Sequence, residues 1–158
     1  MKIFARISVI ALFLSLIADS AQACFTSREH EAEQGIRIHS ELMVIGLTCV
    51  KTPQGHDLYD KYQRFTRKNT SLIAQYETDL ISYYSAEGIK NAEKKLNTLR
   101  TDIANDISSK AVSMGTRTFC EYYASHIDQA LAMDQQKLRR WAQAVWPGQP
   151  LSERMCSN

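Results

Sequence analysis

The sequence predicts an all-α domain, an up-and-down bundle of four main helices plus a shorter C-terminal helix, stapled by two disulfides. Three observations carry that reading. Apolar residues recur at three- and four-residue spacings through five successive segments, no stretch alternates long enough to read as a half-buried strand, and the connections are short enough to favour antiparallel neighbours.

The first helix is expected from about Arg28 to Val50, where Ile38, Leu42, Ile45 and Cys49 recur at spacings of four, three and four. Met43, Val44 and Leu47 widen that stripe, so its second half is expected to be buried nearly all round. Pro53 and Gly55 in KTPQGHD then interrupt, with Asp57 as the N-cap of the second helix. From Leu58, the positions Tyr62, Phe65, Leu72, Tyr76, Leu80 and Tyr84 keep one face for about 30 residues, or about 45 Å of helix. Gly88 ends that helix as a left-handed cap.

A third helix, from about Ile89 to Met114, lines up Ala92, Leu96, Leu99, Ile103, Ile107, Ala111 and Met114, and Gly115 breaks it. The fourth, from about Thr116 to Met133, uses Phe119, Tyr123, Ile127 and Leu131. The fifth comes after Asp134 on Leu138, Trp141 and Val145. Pro147, Gly148 and Pro150 end regular structure, leaving LSERMCSN in an irregular tail.

Residues 1–23 read as a cleaved signal peptide. Lys2 and Arg6 precede the apolar run ISVIALFLSLIA, and Ala21-Gln22-Ala23 supplies the small residues of a cut. The run is shorter than the roughly 20 residues that span a bilayer, and no second one comes after it, so no transmembrane helix is expected after signal removal. Residues 24–158 then form a single helical domain. Removing Lys2, Arg6 and Asp19 leaves 17 basic against 16 acidic side chains, a balance that gives no electrostatic reason to expect nucleic acid. The expected location is periplasmic or secreted, with lipid anchoring through Cys24 as the alternative. Ala21 stands where acylation usually takes a leucine-like residue, and spending Cys24 on lipid would orphan another cysteine.

Four cysteines remain: Cys24, Cys49, Cys120 and Cys156. In an oxidising compartment they imply two disulfides and three connectivities. A continuous first helix holds Cys24 and Cys49 at opposite ends of a rod roughly 30 Å long, whereas bridged Cα atoms stand within about 7 Å. In an up-and-down bundle the third helix returns to the pole of Cys49 just before Cys120. Cys49 with Cys120 and Cys24 with Cys156 is therefore the expected pairing, and the remaining one requires bonds that cross between poles.

The densest polar cluster is REHEAEQGIRIH, in which His30 and Glu33 are spaced to aim at one metal from a helix. His39, nine residues on, falls on the opposite side, and the segment reads better as an acidic first turn that complements the helix dipole. His30, Glu33 and His126 are candidates for a metal or catalytic site assembled between helices. CxxCH, HExxH, GxSxG and a glycine-rich phosphate loop are all absent, so no catalytic residue and no cofactor is assigned. Lys61, Arg64, Arg67 and Lys68 give the second helix a basic face for an anionic partner. Tyr59, Tyr83, Tyr122 and Trp146 fall off the core stripes and are candidate contact aromatics.

SELMVIGLTC ending at Cys49 and MGTRTFC ending at Cys120, with YQRFTRKN and LIAQYETDLISYY between them, resemble small exported bacterial helical proteins of unknown function over about residues 40–120. The resemblance supports the Cys49 to Cys120 pairing and implies no activity. The leading expectation is a non-catalytic exported protein that binds an envelope protein or an anionic surface. A metal-binding or enzymatic protein and a structural or stress-protective envelope protein are the alternatives.

Overall fold

Thr26 begins the first helix with a reciprocal cap: its hydroxyl accepts from the Arg28 N–H at 3.2 Å, and its own N–H donates to the Glu29 carboxylate at 2.9 Å. The computed structural model describes residues 24–53, 55–144 and 151–157. Residues 1–23, expected to be a signal peptide, together with Val145, Trp146, Pro147, Gly148 and Pro150, lie outside the described residues.

Among the described residues seven helices form: α1 (Ser27–Cys49), α2 (Leu58–Lys68), α3 (Thr70–Ala86), α4 (Ala92–Met114), α5 (Thr116–Tyr123), α6 (Ser125–Ala132) and α7 (Gln135–Gln143). The long second helix expected from the sequence is α2 and α3, parted at Asn69. The buried Asn69 side chain donates to the Phe65 carbonyl at 2.9 Å, and its backbone leaves helical geometry at φ −113°, ψ 16°. Tyr62, Phe65, Leu72, Tyr76, Leu80 and Tyr84 are nevertheless all buried, so the break leaves the apolar face unshifted. The fourth helix is similarly divided at Ala124, which keeps helical angles of φ −55°, ψ −37°.

Glycine ends α3 and α4. Gly88 adopts φ 76°, letting the Ile89 N–H reach back to the Tyr84 carbonyl at 3.0 Å, and Gly115 adopts φ 78° after α4. Asn91 and Asp134 start α4 and α7 by accepting from the N–H groups of Lys94 and Lys137 at 2.8 and 2.7 Å.

The chain runs up, down, up and down. Arg28 meets Asp79 at 3.1 Å and Phe25 stacks edge-on to Tyr83 at 4.9 Å, which sets the end of α3 beside the start of α1. α4 returns along α3, joined by the Arg100–Glu77 ion pair, and α5 and α6 then descend past Cys49 and Glu41. α7 continues this descent, with Arg139 reaching Glu31 at 2.6 Å. Both disulfides pair as expected, Cys24 with Cys156 and Cys49 with Cys120, at Cα separations of 5.0 and 5.6 Å.

Helix α1 packs against all six others and serves as the axis of the bundle. Between residues 30 and 46 none of its positions is exposed. Burial therefore extends well beyond the expected second half. Glu31, Glu33 and Gln34 do not form a solvated acidic turn but lie inside, because a helix surrounded on every side has no outward face for them. Gly35 allows that enclosure: a Cβ there would run into the ring of Tyr76 from α3.

Candidate functional site

Burying carboxylates along α1 requires a partner for each, since an unpaired buried charge is costly. Glu33 accepts from the Ser152 N–H at 2.8 Å and from the Ser152 hydroxyl, with Arg37 Nη2 at 3.6 Å. Glu31 accepts from the Tyr76 hydroxyl at 3.0 Å, Arg139 Nη1 at 2.6 Å and Gln143 Nε2 at 2.7 Å, which joins α1 to α3 and α7. Burial, followed by the nearby Glu31 charge, holds the Tyr76 phenol well above its ordinary pKa. Burial and then Glu33 push Tyr84 up to about 12. Glu41 lies 3.0 Å from His126 Nδ1, tying α1 to α6. His39 Nε2 lies 3.1 Å from the Tyr62 hydroxyl and 3.2 Å from Thr66 Oγ1, and burial followed by the Arg100 charge lowers its pKa to about 4.

These pairings decide the fate of His30, Glu33 and His126. Glu33 is committed to Ser152 and His126 to Glu41, and Glu33 and Glu41 are eight residues apart on α1, a rise of about 12 Å. The trio is not brought to one point. Among the described residues, no three His, Cys, Asp or Glu side chains are placed to hold a metal ion.

The basic face of α2 is divided. Lys61 bridges Asp57 at 3.1 Å and Asp128 at 2.9 Å, and Lys68 donates to the carbonyls of Leu131 and Met133 at 2.8 and 2.7 Å. Lys61 fastens α2 to the flank of α6 and Lys68 fastens it to the end of that helix. Arg64 and Arg67 stay exposed, so only half of the expected cationic face is available to a partner.

Large apolar side chains are exposed mainly at one pole. Leu47 and Val50 close α1, Tyr59 opens α2, Val112 lies in the last turn of α4, and Tyr122 follows Cys120 by two residues. Val112 and Tyr122 are 81% and 69% exposed, more than any other large apolar residue described, and the Cys49–Cys120 bridge ties α5, which carries Tyr122, to the end of α1. Tyr59 and Tyr122 were recognisable because they fall off the core stripes. Leu47 was expected inside and is instead 53% exposed, because it falls about 200° around α1 from both Ile45 and Cys49, which are fully buried. Val50 and Val112 were not singled out, although Val112 follows the buried Ala111 and so falls about 100° off that stripe. Tyr83 is partly buried against Phe25, and Trp146 lies outside the described residues.

Among the described residues no helix is long and apolar enough to cross a membrane. No protein-family model matches the chain, and no curated protein or solved structure is significantly similar to it.

Proposed function

We propose that the protein is an exported, non-catalytic binding protein, periplasmic or secreted, that docks an envelope protein on the pole of the Cys49–Cys120 bridge. The exposure of Leu47, Val50, Tyr59, Val112 and Tyr122 at that pole carries the reading. Exposed apolar and aromatic side chains gathered at one end favour a protein contact, where tyrosine supplies large area with a polar edge. Two disulfides suit an oxidising compartment, and Lys2, Arg6 and Ala21-Gln22-Ala23 suit export. The buried carboxylates support a scaffold role, because Glu31, Glu33 and Glu41 each spend their hydrogen-bonding capacity within the bundle.

The test is site-specific photo-crosslinking in intact cells, with the reactive group at Tyr122 and a control at Lys94, an exposed residue in the first turn of α4 at the other pole. A protein adduct of discrete mass from position 122 and none from position 94 is expected. Equal or absent adducts at both positions would remove the pole as a docking surface. Exposed Arg64 and Arg67 favour a second reading, an anionic surface. It predicts that charge reversal at both arginines abolishes binding to anionic vesicles while leaving the crosslink at 122 intact.

A further inference from the structure

We propose that the Cys24–Cys156 disulfide is a thiol-reducible clasp: opening it frees residues 151–157 from α1 while the Cys49–Cys120 bridge keeps the bundle folded. The two bridges differ in access. Cys49 and Cys120 are fully buried among core side chains, whereas Cys24 and Cys156 are each partly exposed. Thiol–disulfide exchange needs a thiolate to reach a bridge sulfur, so access orders the two reactions.

The segment being clasped packs on the core through Leu151, which is only partly buried. Residues 151–157 form no helix and attach beside the start of α1 through one isolated parallel bridge, Phe25 with Met155. The Phe25 N–H donates to the Arg154 carbonyl at 2.8 Å, the Cys156 N–H donates to the Phe25 carbonyl at 2.9 Å, and Ser152 caps Glu33. Phe25 and Glu33 are both fully buried. Release of the strap uncovers an aromatic side chain and withdraws both Ser152 donors from a buried carboxylate. The bundle itself keeps its second cross-link, which joins α1 to α5.

The chemistry is a two-electron exchange with a dithiol reductant. One thiolate of the reductant attacks a sulfur of the Cys24–Cys156 bond, the bond breaks, and the other cysteine leaves as a thiolate that takes up a proton. The second thiol of the reductant, deprotonated, then attacks the mixed disulfide. The reductant ends oxidised to a disulfide, and Cys24 and Cys156 end as two thiols.

Oxidised full-length protein is titrated with dithiothreitol under native conditions, quenched with an alkylating agent and mapped by peptide mass spectrometry. Cys24 and Cys156 should be half-labelled at a reductant concentration at least about tenfold below that for Cys49 and Cys120, and reversed or simultaneous labelling overturns the proposal. Hydrogen exchange on the half-reduced protein reads the second part. The Phe25 and Cys156 amides should exchange at least about tenfold faster while the amides of α1 between residues 36 and 46 keep their protection. Unchanged Phe25 and Cys156 exchange, or loss of protection throughout α1, overturns it equally. Because the wild-type chain is used, no substitution has to fold for the result to be decisive.

Discussion

Ser152 gives Glu33 two donors at once: its N–H at 2.8 Å and its hydroxyl both meet the carboxylate of a residue with no exposed surface. The two residues are 119 apart in sequence. A charge placed inside by α1 is thus completed by a segment from the other end of the chain, with Arg37 one turn away on the same helix.

Glu33→Ala should destabilise the oxidised protein by about 3–5 kcal/mol, because it strips the buried network of its anion and leaves the Ser152 N–H without its acceptor. Glu33→Gln keeps an acceptor oxygen for Ser152 and should cost less, about 1–3 kcal/mol. Urea unfolding with both disulfides intact measures each value. An alanine variant within about 0.5 kcal/mol of the wild type would mean that the carboxylate is not part of what holds the bundle.

Gly35→Ala should also destabilise, against its helix propensity. In an exposed helix the change would gain about 1 kcal/mol, but here the new methyl meets the Tyr76 ring. That ring is held by its hydroxyl bond to Glu31 at 3.0 Å and so has little freedom to yield. Overpacking of this kind costs about 1–3 kcal/mol net, read as a lower thermal midpoint. The double variant Gly35→Ala with Tyr76→Leu should recover part of the loss, and a stabilised single variant would count against the close approach.

Helix positions were legible where the signal was local, although two of the five expected helices are each split in two. The Tyr62 to Tyr84 stripe, the glycines at 88 and 115 and the start of the last helix after Asp134 each act within a few residues, and all sit where the pattern put them. The Asn69 break was hidden because it leaves the apolar face in register. The polar half of α1 was misread for a different reason. Glu31 and Glu33 look like an ordinary acidic first turn until Arg139, Gln143 and Ser152 arrive from more than a hundred residues away. The engagement of Lys61 and Lys68 within the bundle was hidden likewise, since their partners on and just after α6 lie 63 to 67 residues further on.

Lys68→Met should weaken the bundle by about 1 kcal/mol, while Arg67→Met should change stability by less than about 0.5 kcal/mol. The two residues are neighbours of equal charge, so composition cannot separate them. Lys68 satisfies the carbonyls of Leu131 and Met133 at the end of α6, where a cation also complements the helix dipole, whereas Arg67 projects from the surface. Parallel urea titrations of the two variants make the comparison. Equal losses would show that net charge, not the α2–α6 contact, sets the effect.

His39 should make the protein less stable as pH falls from about 6.5 to about 4. Burial and then the Arg100 charge lower its folded pKa to about 4, so it remains neutral between Tyr62 and Thr66 through most of that window. In the unfolded chain the imidazole protonates near its ordinary value of about 6.5. Below that pH the unfolded state binds a proton that the folded state refuses, and stability declines until the folded ring also titrates. A difference of about 2.5 pH units corresponds to about 3 kcal/mol, present in full above pH 6.5 and lost by about pH 4. His39→Gln retains a hydrogen-bonding side chain and cannot titrate, so the variant should lose this decline while sharing whatever the carboxylates contribute at the acid end. Urea midpoints for both proteins at pH 7, 6, 5 and 4 give the difference curve. A flat difference would mean that His39 has the same proton affinity in the folded and unfolded chains.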